Sequence, residues 1–281
     1  NSQFRRAGTK GIQLFAENSS TMIASVANCT VDRVGGQMAG VEVGSTQSGT
    51  MKANIDGNPV INATNEVAIN VYAGGTASSR TEATVRNNVS VSGAGDVNSF
   101  TDPVVQAFAT SDAKGIVLIQ NNTITNPDGQ AVLTRATEGS GTMDATIRNN
   151  NITIPANGFD GIEIRSGGDF TSTSNRNCSY VLDNTVANNS TQGGHAFFVQ
   201  PATPATTVQL QQKNGANVSD VAALWTTNTN TESNVDFYTE SGAHLQIGTQ
   251  YVCVTPGNLT APVLAPQNSA DTASVMGIGT T

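Results

Sequence analysis

The chain has 281 residues, enough for one large domain or two ordinary ones and for a buried core in either case. Thirteen Lys and Arg stand against 21 Asp and Glu, a formal net charge of −8, so the chain has no electrostatic means of holding a polyanionic backbone and no nucleic-acid partner is expected. Only 12% of residues are charged; Asn, Thr, Ser and Gly carry the polarity and disfavour helices, while short β-branched runs favour strands. No apolar run is long enough to cross a bilayer, so no transmembrane segment is expected. The opening Asn1-Ser2-Gln3, without an initiator Met or a signal-type apolar core, reads as a fragment or a processed chain. Cys29, Cys178 and Cys253 are widely spaced, with no CxxC and only two His, so neither a metal site nor a cofactor is expected.

Along the chain, one strand pattern recurs. Gly11-Ile-Gln-Leu14 opens a first unit that Val26-Ala-Asn-Cys29-Thr-Val31 closes. Gly40-Val-Glu-Val43, Met51-Lys-Ala-Asn54 and Ile55-Asp-Gly-Asn58-Pro-Val60 repeat the order, followed by Ala68-Ile-Asn-Val71 with Val85-Arg-Asn-Asn88-Val-Ser-Val91. A degraded copy, Ala107-Phe-Ala-Thr110, leads to Ile119-Gln-Asn-Asn122-Thr-Ile124. Ala131-Val-Leu-Thr134, Met143-Asp-Ala-Thr146 and Ile147-Arg-Asn-Asn150-Asn-Ile152 come next, and Gly161-Ile-Glu-Ile164, Val181-Leu-Asp-Asn184-Thr-Val186 and Ala196-Phe-Phe-Val199 complete the series. The anchors at 29, 58, 88, 122, 150 and 184 lie 29, 30, 34, 28 and 34 residues apart, the period of a solenoid. Each unit holds about three short strands, too little apolar surface to fold alone and enough when stacked.

Alternation places Ile162 and Ile164 inward with Glu163 and Arg165 outward, and Ile12, Val41, Ile69, Val132 and Ile162 in one inward stack. The step from Ile69 to Phe108 is 39 residues, longer than those before it, so part of 92–106 is expected to leave the coil as a loop. The recurrent Asn residues are expected at turns, where they tolerate left-handed φ and can hydrogen-bond to one another along the axis. Cys29, in that column, is expected to be an inward structural thiol.

These Asn-Asn-x-Ile turns and Gly-Ile-x-Ile strands make the chain resemble, over about 8–216, the right-handed parallel β-helix of the pectin-lyase-like superfamily. The resemblance implies an all-β, right-handed parallel β-helix (a β-solenoid with about three short strands per coil). Within that superfamily it is most similar to non-catalytic bacterial surface and secreted proteins such as autotransporter passengers. The domain reading that follows is 1–216 as coils, 217–254 as an irregular last rung or cap rich in aromatics (Trp225, Phe237, Tyr238, Tyr251), and 255–281 as a Pro-rich linker or tail.

The polysaccharide hydrolases of the superfamily that the chain resembles share an Asn-x-Asp, an Asp-Asp pair, a Gly-His-Gly and an Arg-x-Lys. This chain has Gly158-Phe-Asp160-Gly161 and Gly194-His195-Ala196 but no Asp-Asp and no Arg-x-Lys. A lyase would need a carboxylate-bound calcium and a basic residue beside it, and Lys10, Lys52, Lys114 and Lys213 sit in no acidic context. Asp160, Glu163 and Asp169 are the acid-base candidates if the chain is an enzyme that degrades polysaccharides.

Outward alignment stacks Phe15, Gly44, Tyr72, Ser111, Arg135, Arg165 and Gln200 in one column beside Gln13, Glu42, Asn70, Ala109, Leu133, Glu163 and Phe198. Phe15, Tyr72, Arg135, Glu163 and Arg165 are therefore the candidate carbohydrate-binding residues, because aromatic faces stack on sugar rings and charged groups bind hydroxyls. The expected function is a secreted or cell-surface structural or adhesive module of a larger protein, with a glycan or cell-surface partner and an extracellular or cell-surface location.

Overall fold

The computed structural model describes residues 3–5, 11–34, 39–64, 67–93, 103–125, 129–167, 174–191, 193–201, 205–211, 229–230, 236–237, 244–248 and 251–257. Every regular element among them is a strand, and all pairing is parallel. Sheet A stacks β1 (Gln3–Arg5), β4 (Thr30–Val34), β7 (Val60–Ala63), β10 (Val91–Gly93), β13 (Thr123–Thr125), β16 (Asn151–Ile154), β19 (Thr185–Asn188) and β22 (Thr229–Asn230). Sheet B stacks β2 (Ile12–Ala16), β5 (Val41–Ser45), β8 (Ile69–Ala73), β11 (Val105–Thr110), β14 (Val132–Thr137), β17 (Ile162–Ser166), β20 (Phe197–Pro201) and β23 (Asp236–Phe237). Sheet C stacks β3 (Thr21–Ala27), β6 (Thr50–Asp56), β9 (Arg80–Arg86), β12 (Lys114–Gln120), β15 (Thr142–Arg148), β18 (Arg176–Leu182), β21 (Thr207–Gln211) and β24 (His244–Gly248). The chain passes through B, C and A in each coil and forms a β-solenoid of about six turns with three strands per coil. The strands β22, β23 and β24, within 217–254, each extend one of the three sheets; Trp225 and Tyr238 lie outside the described residues, as do 258–281.

Strand alternation fills the interior. Ile12, Val41, Ile69, Val105, Val132, Ile162 and Phe197 share one register position, and from Val41 onward each is fully buried. Sheet A faces them with Val31, Ile61, Val91, Ile124, Ile152 and Val186, all buried. The expected stack is present, with one correction. Val105, not Phe108, occupies the fourth coil, so the step from Ile69 is 36 residues. The corner before each sheet B strand holds a small residue at Gly40, Ala68, Ala131, Gly161 and Ala196, and Val104 fills it before β11. Sequence matching on small residues therefore slid to Ala107, three positions too far. The loop expected within 92–106 falls mostly on 94–102, outside the described residues.

The corners explain the asparagines. Between sheets C and A one residue per coil is left-handed: Asn28, Gly57, Asn87, Asn121, Asn149 and Asp183, with φ between 53° and 65°. Asn and Asp tolerate this region because their short polar side chains bond locally, and Gly57 has no Cβ to clash. The next residue points inward. Asn58, Asn88, Asn122, Asn150 and Asn184 are at most 2% exposed, and the Nδ2 of each of the first four donates to the Oδ1 of the following coil's Asn at 2.8, 2.8, 3.0 and 2.9 Å. The same Oδ1 accepts the preceding coil's backbone N–H, as from Asn88 to Asn122 at 3.2 Å, and the second Nδ2 hydrogen goes to a carbonyl such as Val85 at 2.9 Å. Cys29 begins the column: its N–H reaches Asn58 Oδ1 at 2.9 Å, and its partly buried thiol packs against the core.

On the outer side of sheet C, Asp144 is fully buried beneath Arg176, whose Nη2 donates to both carboxylate oxygens at 3.1 and 3.2 Å. Beside Asp144 in register, Cys178 forms a disulfide with Cys253, closing a separation of 75 residues. No group of three or more His, Cys, Asp and Glu side chains placed to hold a metal ion occurs among the described residues. No described helix is long and apolar enough to cross a membrane.

Candidate functional site on the outer face of sheet B

The outward positions of sheet B form two columns. The first is Gln13, Glu42, Asn70, Gln106, Leu133, Glu163 and Phe198; the second is Phe15, Gly44, Tyr72, Phe108, Arg135, Arg165 and Gln200. The corrected register of β11 thus replaces Ala109 and Ser111 with Gln106 and Phe108. Phe15, Tyr72, Arg135 and Arg165 share one column, with Glu163 in the next. Asp160 lies in the turn before β17, and Asp169 lies outside the described residues.

Phe108 completes a ridge. The ring centroids of Phe15 and Tyr72 are 6.1 Å apart, those of Tyr72 and Phe108 are 5.9 Å apart, and the Arg135 guanidinium lies 5.6 Å from the Phe108 centroid. These are tilted aromatic contacts followed by a cation–π contact. Phe15 and Tyr72 stand two coils apart, and they meet because Gly44 has no side chain: a Cβ there would lie 3.0 Å from both Phe15 Cε1 and Tyr72 Cβ. Burial first, then the charges of Glu138 and Glu42, raises the Tyr72 phenol above its ordinary pKa. At the N-terminal end of the ridge, Gln13, Phe15, Glu17 and Thr46 line an open groove of about 300 Å³.

Toward the C-terminal coils the face becomes ionic. Glu163 is 1% exposed, although it points away from the core, because Leu133 and Phe198 flank it in its own column. Its Oε1 forms an ion pair with Arg165 Nη2 at 2.9 Å, and Gln130 donates a hydrogen bond to the carboxylate. Burial pushes its pKa up to about 6; Asp160 adds to the rise, while Arg165, Arg135 and Gln130 oppose it. Asp160, 2% exposed, accepts the His195 backbone N–H at 2.8 Å and lies 3.3 Å from His195 Nδ1, tying consecutive turns together. The His195 ring stacks on Phe198 with centroids 6.2 Å apart.

Sequence reasoning missed Phe108 through the register slip and Gln130 through its place in a turn. The signal for Phe108 was available, since Val105 continues the Ile69 and Val132 series. The assembled surface offers ring faces for C–H contacts and guanidinium N–H groups for ligand oxygens. No known protein family, curated protein or solved structure matches the chain.

Proposed function

We propose that the chain is a secreted or cell-surface structural and adhesive β-solenoid module of a larger protein, binding glycans along the outer face of sheet B. The observation that carries this reading is the continuous ridge of Phe15, Tyr72, Phe108 and Arg135. Aromatic groups on a rigid sheet stack on sugar rings at little entropic cost, because strand packing already holds them. The Cys178–Cys253 bond supports an oxidising, extracytoplasmic compartment. The resemblance of the coil motifs to the pectin-lyase-like superfamily, and to autotransporter passengers within it, supports the surface setting.

The test is native electrophoresis through gels containing neutral or acidic polysaccharides. Retardation of the wild-type chain, lost in Phe108→Ala and Tyr72→Ala with unchanged circular dichroism, is the expected result. Equal mobility with and without every polysaccharide overturns the reading. A second reading, a polysaccharide-degrading enzyme, is favoured by one observation: Glu163 is a carboxyl buried on an outer face, and burial pushes its pKa up to about 6, as suits a general acid. Turnover of polygalacturonate, pectin, alginate or chondroitin that disappears in Glu163→Gln or Asp160→Asn would establish it.

A further inference from the structure

Arg135 and Arg165 are register partners on adjacent strands, about 4.8 Å apart along the axis, so their side chains leave the sheet side by side. One ligand group carrying negative charge can meet both. The group already beside them is Glu163, in contact with Arg165 at 2.9 Å. Every element packed around Glu163 contributes a group: Arg165 from its own strand, Asp160 from the preceding turn, and Arg135, Leu133 and Gln130 from the coil before. His195 and Phe198 come from the coil after. Two cations therefore face one carboxylate that is 1% exposed. Arg165 retains 28% of its side-chain exposure, and its buried Nε has no hydrogen-bond partner.

We propose that Glu163 is a proton-operated counter-ion for this arginine pair. Ionised, it holds Arg165 and repels an anionic group on the ligand; neutral, it yields the guanidinium to that group. The inference rests on the reading of this face as a glycan-binding surface and adds its regulation. Because the bound anion and the Glu163 carboxylate exclude each other, uptake of the anion draws in up to one proton, and the coupling is reciprocal. The competent fraction is the protonated fraction. With the midpoint of Glu163 at about 6, that fraction changes about thirtyfold between about pH 7.5 and about pH 5.

The experiment compares wild type with Glu163→Gln, which is neutral and nearly isosteric, on dextran sulfate and on uncharged dextran. At about pH 7.5 the variant should bind dextran sulfate about thirtyfold more tightly than wild type, and at about pH 5 the two should agree. General gain of positive charge on acidification cancels in this ratio. A ratio that is the same at both pH values overturns the proton gate and leaves the glycan reading standing. If neither polysaccharide binds either protein at either pH, the glycan reading fails. The gate is then judged by NMR titration of the Glu163 carboxyl carbon with and without inorganic sulfate: a midpoint raised by sulfate sustains it, and an unmoved midpoint overturns it.

Discussion

An amide buried in an apolar wall is tolerable only when every donor and acceptor on it is met. The column from Asn58 to Asn184 achieves this by repetition, since from Asn88 onward each Oδ1 takes two donors from the coil before. At Asn58 only one of those donors is present, from Cys29 N–H, because a thiol stands where the next amide would be. Cys29→Asn supplies the missing donor and should raise stability by about 1 kcal/mol, seen as a rise of about 2–4 °C in Tm. Asn122→Leu does the reverse, leaving donors on Asn88 and the Val85 carbonyl unmet, and should cost about 3 kcal/mol in a urea titration. Glu163 gives a second residue-scale expectation. Its folded pKa of about 6 stands above the unfolded value of 4.5, so ionisation opposes folding. Below pH 4.5 both states hold the proton and nothing is lost; as pH rises through 6 the chain loses about 2 kcal/mol. Glu163→Gln should therefore gain about 2 kcal/mol over wild type between pH 4 and 7.5 in denaturant titrations at several pH values. The Asn column was legible because its spacing is written in the chain. The Cys178–Cys253 bond was not, since Cys253 lies beyond the repeat and nothing in its neighbourhood specifies a partner 75 residues away.

At the scale of the strand, register decides which side chains meet. A slip of three residues at β11 turned an outward Phe108 into an apparent core residue, because alternation alone cannot tell Val105-Gln-Ala from Phe108-Ala-Thr when the corner residue, Val104, is not small. The other sheet B strands were placed correctly since Gly or Ala marks their entry. That puts Phe15, Tyr72, Arg135 and Arg165 in one outward column, as expected, whereas the link between Tyr72 and Arg135 is Phe108, which only the register of β11 supplies. Gly44 is the other half of the ridge. Gly44→Val would set a side chain 2.6 Å from the Tyr72 carbonyl and against the Phe15 ring. It should cost about 1–3 kcal/mol and separate the two aromatics. The check is a double-mutant cycle between Phe15→Ala and Tyr72→Ala: a coupling of about 0.5–1.5 kcal/mol with Gly44 present should vanish in the Gly44→Val background.

The whole molecule is a stack in which each coil touches its neighbours, so the ends differ from the middle. Ile12, Leu14, Met22 and Ala24 at the first coil are only partly buried, whereas Val41, Val43, Met51 and Ala53 beneath them are at most 1% exposed. The other end carries the covalent tie between sheet C and the segment around Cys253. In the chain-entropy account, closing 75 residues is worth about 4.5 kcal/mol. Cys178→Ser should lose much of that in guanidinium unfolding, and a reductant should bring wild type to the same midpoint.

The one-handed run of Asn hydrogen bonds has a consequence for how such a molecule can change over generations. Asn122 and Asn150 are equivalent positions, 28 residues apart, each preceded by a left-handed Asn. Excising 122–149 joins Asn121 to Asn150, rewrites no junction, and places β11 beneath β17, with Phe108 directly under Arg165. The shortened chain should still unfold cooperatively with a β-type circular dichroism spectrum and be about 4.8 Å shorter along its axis by small-angle scattering. An excision of half that length, which brings a sheet C strand under sheet B, should not fold. Length in this architecture is therefore a heritable dial with discrete clicks, and unequal recombination between Asn-Asn codons is enough to turn it.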